Sequence, residues 1–358
     1  MPLLINNEEA AQTVSMPVCM DLLERVYREE AQGSAANRTK SNIHIPTENP
    51  NQWYRYCSME GGIRSLGVVA IRIKSDLVSW IEEEGGRRRS IWWNSRPGKY
   101  CGLILLFSSK SGELLAILND GFVQHLRVGA TAGIAAKYLA RQDARVVGIL
   151  GSGGMAQSHL EAFSLVRHLE QVRVFSPNPA HRRQFAEQMA TQIRTEVQVC
   201  EDLRSVVRGA DIVATCTDSV APVFQGSWIE KGMFLSGVSS IELEDSGFGS
   251  LDGFITYRSG IAENHFTTPE DCRPPSLGGS SEATVQKEAV VRDRTASLHE
   301  VLLGKHPGRT SDEQVFYFLS EGVGVQFAAL AQKVFEVARE RGLGKELPLE
   351  WFLQDIRN

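Results

Sequence analysis

The chain has 358 residues, of which 42% are hydrophobic and 23% are charged, and its formal net charge is −5. This composition excludes a wholly disordered chain, and the length favours two domains. The slightly acidic balance is not typical of nucleic-acid-binding proteins, so we expect no nucleic-acid partner. No run of about 18 apolar residues indicates a transmembrane helix, so we expect no membrane partner.

The cysteines and the first residues bear on the cellular compartment. The six cysteines are scattered and form no CxxC pair, so the sequence indicates neither a zinc site nor a disulfide framework. The N-terminal MPLLINNEEAAQ has no basic segment before an apolar one, unlike a secretory signal. We therefore expect a metal-free protein of the reducing cytoplasm.

The first third of the chain mixes helical and strand-like patterns. Apolar residues at helical spacing predict an amphipathic helix over 17–32. A strand is expected over Val68–Ile73, and a second one over Gly102–Ser108 forms a hairpin with the following LLAILND. The run Arg87–Arg89 could bind phosphate, but the pattern favours a solvated loop face.

From residue 127 onwards, strands and helices alternate. RVGATAGIAAKYLAR, over 127–141, is rich in small residues and predicts a buried helix. The alternation that follows predicts an α/β fold with a doubly wound parallel sheet of the Rossmann type. Residues 258–286 have a loop composition, and a long helix is expected over 311–341. The predicted elements of the first β–α–β unit are Arg145–Leu150, Gln157–Leu169 and Val172–Ser176.

The strongest motif is the glycine-rich turn in RVVGILGSGGMAQSHLEAF. Gly151, Gly153 and Ala156 occupy the G-x-G-x-x-G/A positions between a predicted strand and a predicted helix. Such a turn lets the backbone approach a pyrophosphate, which then faces the positive end of the helix. The sequence therefore predicts a dinucleotide site that also includes residues at neighbouring strand ends. The expected contacts of this turn and of these strand ends are Gly151, Gly153, Gly154, Met155, Ala156, Thr215, Thr217 and Val238.

The end of the second strand bears on the choice of cofactor. An NAD site has an acidic residue there, which binds the ribose 2′-hydroxyl, whereas this chain has Ser176, Pro177 and Asn178. Arg182 and Arg183 follow in the next predicted helix. The pattern favours NADP(H) over NAD(H), with Ser176, Asn178 and Arg182 at the ribose, although both arginines could be ordinary surface residues.

LNDGFVQHLRVGATAGIAAKYLAR, together with the glycine turn, GADIVATCTDSVAPVF and MFLSGVSSIELED, resembles the ornithine cyclodeaminase/mu-crystallin family. The resemblance extends over about residues 35–340. It implies a substrate and dimerisation domain formed by 1–128 with 305–358, and a dinucleotide-binding domain formed by 129–304. It also implies a homodimer, and a small substrate that bears a carboxylate and an imine in equilibrium with an amino acid or oxo acid.

The family's substrate residues can be placed one at a time. Arg127 matches the arginine that contacts the substrate carboxylate, and Arg38 is a plausible counterpart of an earlier arginine. The family lysine aligns with Val69 or with Arg72, depending on the anchor, and Lys74 is the nearest lysine. On a strand, Arg72 and Lys74 share one face, which lines a pocket or meets solvent. Our predicted catalytic residues are Arg72, Lys74 and Arg127.

Ser239 stands where cyclodeaminases have an aspartate, which argues against ornithine cyclodeamination. The resemblance then implies an NAD(P)-dependent oxidoreductase that transfers hydride between nicotinamide C4 and the carbon bearing nitrogen. A mu-crystallin-like protein that binds NADP without turnover is the alternative, and a cyclodeaminase-type ammonia-lyase is a third.

Overall fold

The fold is taken from a computed structural model that describes residues 1–83, 86–92, 101–257, 263–268, 274 and 290–356. The side chains of the run Arg87–Arg89 lie outside this description, as does most of the predicted loop 258–286. The strands are β1 Leu3–Ile5, β2 Ala35–Asn37, β3 Ser41–Pro46, β4 Gln52–Ile63, β5 Val68–Glu83, β6 Gly86–Trp92, β7 Cys101–Ser108, β8 Leu114–Asn119, β9 Val146–Leu150, β10 Gln171–Phe175, β11 Val197–Val199, β12 Ile212–Thr215, β13 Phe234–Gly237, β14 Gly253–Thr256, β15 Asn264–Thr267, β16 Thr295–Ser297, β17 Phe316–Leu319 and β18 Lys345–Glu346. The helices are α1 Asn7–Ala11, α2 Met16–Ala31, α3 Gly121–Leu139, α4 Gly154–Val166, α5 Pro179–Ile193, α6 Leu203–Val207, α7 Leu298–Leu302 and α8 Gly324–Arg341.

The strands form two sheets of different character. The first has the order β15-β3-β4-β5-β7-β8-β1-β18, with β2 beside β4 and β6 beside β5, and most of its neighbours are antiparallel. The second has the order β11-β10-β9-β12-β13-β17-β14-β16, and all of its pairs are parallel. The chain therefore combines a doubly wound Rossmann-type α/β sheet with a second, α+β unit.

The order of the second sheet places a topological switch point between β9 and β12. From β9 the chain runs outward through β10 to β11, and it then returns to the other side of β9 at β12. Open α/β sheets bind ligands in the crevice outside the carboxyl ends of the strands at such a point. The glycine turn that follows β9 lies at this crevice.

Several sequence predictions of secondary structure are confirmed, and others are wrong. The run Arg87–Arg89, expected on a loop face, lies on the strand β6, and the predicted loop 258–286 contains the strand β15. The helix α2, the antiparallel β7–β8 hairpin and the β9–α4–β10 unit form as expected. The helix predicted over 311–341 instead begins at Gly324, because Phe316–Leu319 forms the strand β17. All four residues of β17 are buried, and a strand that is buried on both faces lacks the alternation by which strands are recognised.

The strand β17 also bears on the predicted domain division, which stays a prediction. It falls in the segment 305–358 that was assigned to the substrate domain, yet it pairs with β13 and β14 in the second sheet. The chain then returns to the first sheet through α8, which packs on β4 and β5. The segment after residue 304 thus contributes to both sheets.

The helix α3 lies between the two sheets and is buried along most of its length. Its small residues, such as Ala132, Ala135 and Ala136, are fully buried and let the neighbouring helices α2 and α4 approach closely. The start of α3, which follows β8, is therefore fixed firmly against both halves of the molecule.

None of the helices in the described ranges combines the length and apolar character that a membrane span requires.

The first residue of α8 lies so close to β4 that it has no room for a side chain. A Cβ on Gly324 would lie 2.0 Å from the carbonyl carbon of Glu60, and one on Gly61 would lie 2.2 Å from the Val325 nitrogen. Both contacts are with backbone, which cannot rotate away. The pair of glycines therefore sets the distance between α8 and the first sheet.

We predict that Gly324→Ala lowers the free energy of unfolding by about 1–3 kcal/mol, since β4 and α8 must separate to admit the methyl group. Alanine otherwise favours a helix by about 1 kcal/mol over glycine, so a loss reports the clash. Thermal unfolding followed by circular dichroism measures the effect. The matched control is Gly249→Ala, where an added Cβ meets nothing within 4 Å. Equal midpoints for the two variants would contradict the prediction.

Candidate active site

A cavity of about 290 Å³ opens between the two sheets. Residues of the first sheet and of α3 form one wall, and residues that follow strands of the second sheet form the other. Among those on the first wall are Lys40, Arg55, Cys57, Met59, Arg72, Lys74, Gln124 and Arg127. Those on the second wall include Met155, Thr217, Asp218, Val238, Ser239, Leu319, Ser320 and Glu321.

Arg127, on α3, is a buried cation with neutral partners. Its guanidinium donates to Gln326 Oε1 at 3.0 Å and to Gln124 Oε1 at 3.0 Å, and the residue is 4% exposed. Among the described residues, no carboxylate pairs with it. Burial, and next the charge of Arg72, lowers the pKa of Arg127 to about 9. An anion in the cavity would supply the counter-charge that the protein itself does not provide here.

Arg72, on β5, is also buried, but its charge is compensated. Its Nε and its NH2 group both lie 2.7 Å from Oδ2 of Asp120, the residue that follows β8. The guanidinium carbons of Arg72 and Arg127 lie 5.3 Å and 5.1 Å from the centre of the Phe327 ring. Cation–π attraction to this ring helps to hold two arginines in one cavity wall.

Lys74 lies two residues beyond Arg72 on β5 and lines the same cavity. The predicted common face of Arg72 and Lys74 is therefore confirmed, and it faces the cavity. Lys74 Nζ lies 3.0 Å from Asp76 Oδ2. Burial lowers the pKa of Lys74 to about 8, although Asp76 partly opposes this effect. A lysine with this pKa can give up a proton near neutral pH.

Two further cations of the cavity were missed by the sequence analysis. Arg55, on β4, lies 3.2 Å from the same Asp76 Oδ2, and Lys40 lies 2.5 Å from Glu263. In the antiparallel register Arg55 stands opposite Asp76, and Cys57 stands opposite Lys74. Alternation along β4 was the available signal, since Arg55, Cys57 and Met59 share one strand face. Nothing local to β4 shows that this face meets the charged face of β5.

The predicted substrate contact Arg38 lies elsewhere, as does Val69, one of the two positions aligned with the family lysine. The side chain of Arg38 is 77% exposed and stands 3.8 Å from Glu60, so it does not line this cavity. Val69 is 43% exposed, also outside the cavity. Of the two anchors for the family lysine, the geometry favours the one that selects Arg72.

The glycine turn after β9 has the shape that a dinucleotide requires. Gly151 has a φ of 116°, and a Cβ there would lie 2.3 Å from the Cys216 carbonyl oxygen. A Cβ on Gly153 would meet nothing within 4 Å, so the space beside it is open. No side chain caps the N-terminus of α4, which begins at Gly154, and Ala156 is fully buried behind the turn. The predicted residues therefore leave open space beside the turn, next to the uncapped backbone N–H groups at the start of α4.

A buried carboxylate, Glu242, follows β13 and contacts the residues at the end of β12. Glu242 is fully buried and accepts hydrogen bonds from Thr215 Oγ1 at 3.1 Å, and from Thr217 through its backbone nitrogen at 2.8 Å and its Oγ1 at 2.6 Å. Burial raises the pKa of Glu242 to about 7. Thr217 lines the cavity, as do Met155 and Val238. Glu242 thus fixes one of the predicted cofactor contacts.

The three residues predicted at the ribose follow β10, two in the loop and Arg182 on α5. Ser176 Oγ lies 2.8 Å from Ser152 Oγ of the glycine turn, and Asn178 caps α5 by accepting from Ala180 N at 2.9 Å. Arg182 is buried, stands 5.3 Å from the Phe175 ring, and donates to the Ser176 carbonyl oxygen at 3.2 Å. Its guanidinium also pairs with Glu201. Arg182 is therefore near the predicted site but already has an acidic partner.

The sequence profile of the ornithine cyclodeaminase/mu-crystallin family matches residues 96–342. An alanine dehydrogenase of Archaeoglobus fulgidus is 27% identical over 354 residues, which cover 96% of this chain and 98% of that protein. A Δ1-pyrroline-2-carboxylate reductase of Bacillus cereus is 28% identical over 261 residues, covering 71% of this chain and 77% of the relative.

Two solved structures of similarly named enzymes share the fold of this chain. The Δ1-pyrroline-2-carboxylate reductase of Thermococcus litoralis, in complex with NADH and L-proline, matches with a TM-score of 0.80 and 25% identity, covering 96% of this chain and 100% of that one. An archaeal alanine dehydrogenase dimer with bound NAD has the same fold, with a TM-score of 0.79 and 24% identity over 97% of this chain and 99% of that one. Since the profile covers more than half of its length, the chain belongs to the ornithine cyclodeaminase/mu-crystallin family.

Proposed function

We propose that the protein is an NAD(P)H-dependent oxidoreductase that acts on an imine, or on an amino acid–oxo acid pair. One observation carries the proposal: a single cavity contains the buried cation Arg127, the lysine Lys74 and the predicted cofactor contacts Met155, Thr217 and Val238. A carboxylate, a proton donor and a nicotinamide can therefore meet in one place. The names of the relatives, two of them reductases or dehydrogenases of C–N substrates, support this conclusion.

The described residues fit a dinucleotide. The pyrophosphate would lie over Gly153 at the start of α4, and the nicotinamide end would reach Thr217 and Val238 at the ends of β12 and β13. When bound, the nicotinamide supplies or accepts the hydride at its C4 atom. Gly151, Gly154 and Ala156 would shape the turn rather than contact the substrate.

Within the cavity the cations take different roles. Arg127 binds the substrate carboxylate, because its planar fork suits two parallel hydrogen bonds and its charge is not otherwise compensated. Arg72 is already paired with Asp120, so it fixes the position of Phe327 and strengthens the local positive potential. Lys74 gives the proton to the imine nitrogen in the reductive direction. Ser239 lines the cavity where a cyclodeaminase would have a carboxylate, and an ammonia-lyase is therefore not favoured.

The assembly we propose is a homodimer in the cytoplasm. Ile43 and Phe266 stand opposite each other on β3 and β15, at 41% and 58% exposure, and Ile45 on the same face is 40% exposed. Contiguous exposed apolar side chains on a sheet face are typical of a protein interface. The archaeal alanine dehydrogenase with this fold is a dimer, which supports the proposal.

The substitution Arg127→Ala tests the function directly. We predict a loss in kcat/KM of about 2–4 kcal/mol for a carboxylate-bearing imine, because a buried charged hydrogen bond to the substrate is removed. Arg127→Lys recovers only part of this loss, since an ammonium group cannot make the two-pronged contact. Steady-state oxidation of NADPH with cyclic ketimines, and with 2-oxo acids plus amines, measures both variants.

Fluorescence titration with NADPH is the control for the Arg127 variants. The affinity of both variants for NADPH should be nearly the same as that of the wild-type protein. Loss of NADPH binding with normal catalysis at saturating cofactor would identify Arg127 as a cofactor residue. Binding of NADPH by the wild-type protein without turnover of any imine would support the non-catalytic alternative instead.

The pH dependence of imine reduction reports on Lys74. Its pKa is lowered to about 8, so the protonated donor is lost as the pH rises through that value, and kcat/KM for reduction should fall above pH 8. Lys74→Arg keeps the positive charge but does not release its proton, so the rate should drop about 100-fold and the fall near pH 8 should disappear. An unchanged profile in this variant would exclude Lys74 as the donor.

The open space beside Gly153 predicts a selective effect on the cofactor. Gly153→Val should abolish NADPH binding, because the added side chain occupies the place of the pyrophosphate, while the unfolding midpoint stays close to wild type. Gly151→Ala is the contrasting variant, since its methyl group would meet the Cys216 carbonyl and disturb the fold itself. Fluorescence titration and thermal unfolding distinguish the two effects. Wild-type NADPH affinity in Gly153→Val would refute this position for the cofactor.

We further propose that NADP(H) is preferred over NAD(H). No carboxylate follows β10, and Arg182 lies beside the Ser176 carbonyl, where a 2′-phosphate could draw its guanidinium from Glu201. We predict about tenfold tighter binding of NADPH than of NADH, or about 1.4 kcal/mol, and a smaller difference in Arg182→Gln. Tighter binding of NADH by the wild-type protein in the same titration would show that Glu201 keeps Arg182 from the ribose.

A further inference from the structure

We propose that the substrate carries two carboxylates, and that Arg55 binds the second one. The inference rests on the proposed function, because it names the class of imine that the same cavity accepts. Its structural basis is a second group of buried charges, formed by Arg55, Lys74 and Asp76. Arg55 lies on the opposite side of Lys74 from Arg127.

The first step concerns the counter-charge of Arg55. Its NH2 group lies 3.2 Å from Asp76 Oδ2, and Lys74 Nζ lies 3.0 Å from the same oxygen. The Arg55 guanidinium therefore shares the Oδ2 atom of Asp76 with a second cation. The side chain of Arg55 is only 13% exposed, so water compensates little of its charge. A ligand carboxylate would complete the neutralisation.

The second step concerns unused hydrogen-bond donors. The Nε atom of Arg55 is buried and has no hydrogen-bond partner among the described residues, and the same holds for Nε of Arg127. Buried N–H groups are nearly always paired in native proteins, so an unpaired one in a cavity wall indicates a missing acceptor. Arg55 and Arg127 both line the cavity, unlike Arg141 and Arg182, whose Nε atoms are also buried without a partner among the described residues.

The third step concerns the order of these groups along the strands. Arg72, Lys74 and Asp76 follow one another on the same face of β5, at steps of about 7 Å, and Arg55 stands opposite Asp76. Lys74 is thus in the middle, with Arg72 and Arg127 towards one end and Arg55 towards the other. A substrate with its imine nitrogen at Lys74 would place one carboxylate at each end.

The remaining charges of the cavity do not offer an alternative second site. Lys40 is paired with Glu263 at 2.5 Å, and Asn42 donates to the other oxygen of that carboxylate at 3.2 Å. Asp218 and Glu321 are acidic and line the opposite wall, after β12 and β17. The second carboxylate can belong to the oxo-acid skeleton, as in oxaloacetate, or to the amine, as in glycine. In both cases hydride adds to the imine carbon and a proton to the nitrogen.

The test compares matched substrates and matched ligands. NADPH oxidation is measured with pyruvate plus ammonia, with oxaloacetate plus ammonia, and with pyruvate plus glycine, and calorimetric titration compares succinate with butyrate. We expect kcat/KM at least tenfold higher for one of the dicarboxylate imines, and the preferred arm identifies the source of the second carboxylate. Arg55→Gln should reduce the ratio of dicarboxylate to monocarboxylate kcat/KM at least tenfold and remove the preference for succinate. Arg64→Gln, the same exchange at an exposed position, should leave both ratios unchanged.

The two proposals fail in different ways. Reduction of the monocarboxylate imine at equal or better efficiency, with no effect of Arg55→Gln on the ratio, overturns the dicarboxylate inference and keeps the proposed function. Tighter binding of succinate than of butyrate, abolished by Arg55→Gln but without turnover of any imine, overturns the function and keeps the second carboxylate site. Equal binding of succinate and butyrate overturns the inference.

Discussion

The buried charge of Arg127 is the constraint on which the rest of the site depends. A guanidinium that is 4% exposed, and whose partners among the described residues are amide oxygens, is stable because each of these neighbours is held in turn. Gln326 accepts from Arg127 and from the Val323 nitrogen, and its own amide donates to Tyr27 at 2.8 Å and to Thr131 at 3.2 Å. Because both ends of this amide are satisfied, it cannot turn to present its nitrogen to the arginine. The network joins α2, α3 and α8, so the cation is fixed by three helices rather than by an opposite charge.

A second buried network continues this support on the side of the first sheet. Asn37 accepts from the Val325 nitrogen at 2.7 Å and donates to Glu30 at 2.7 Å, while Tyr257 donates to Glu30 at 2.6 Å. Hydrogen bonds and the His299 contact keep the pKa of Glu30 below its usual value in spite of burial. The first turn of α8 is therefore held by β2 and by the close approach of Gly324 to β4. Its position brings the Phe327 ring within cation–π distance of both Arg72 and Arg127, so backbone packing outside the cavity helps to position these two cations.

Local features of the sequence predict the nucleotide half well and the substrate half only in part. The turn from Gly151 to Ala156 is encoded within one β–α unit, so its shape follows from glycine and from the strand and helix around it. The shared face of Arg72 and Lys74 follows from alternation along one strand. The contribution of Arg55 depends on its pairing with Asp76 across two strands, which no local pattern shows. The family resemblance alone indicates Arg38, and in the structure its side chain lies beside Glu60 and is exposed to solvent. The strand β17 was read as helix because its four residues are all buried and apolar.

The two walls of the cavity carry charges of opposite sign, and this difference gives the substrate a direction. The cations Arg55, Arg72 and Lys74 come from the first sheet, whereas Asp218 and Glu321 follow strands of the second. An anionic substrate is therefore drawn to the first wall and repelled from the second, where the nicotinamide would lie against Thr217 and Val238. In the binding mode we propose, the carboxylates lie on the far side, and the carbon that bears nitrogen is the part left to face the nicotinamide. Electrostatics thus sets the orientation that hydride transfer needs. Thr217, which Glu242 fixes in place, is neutral, so the second wall adds no cation there that would compete for the carboxylate.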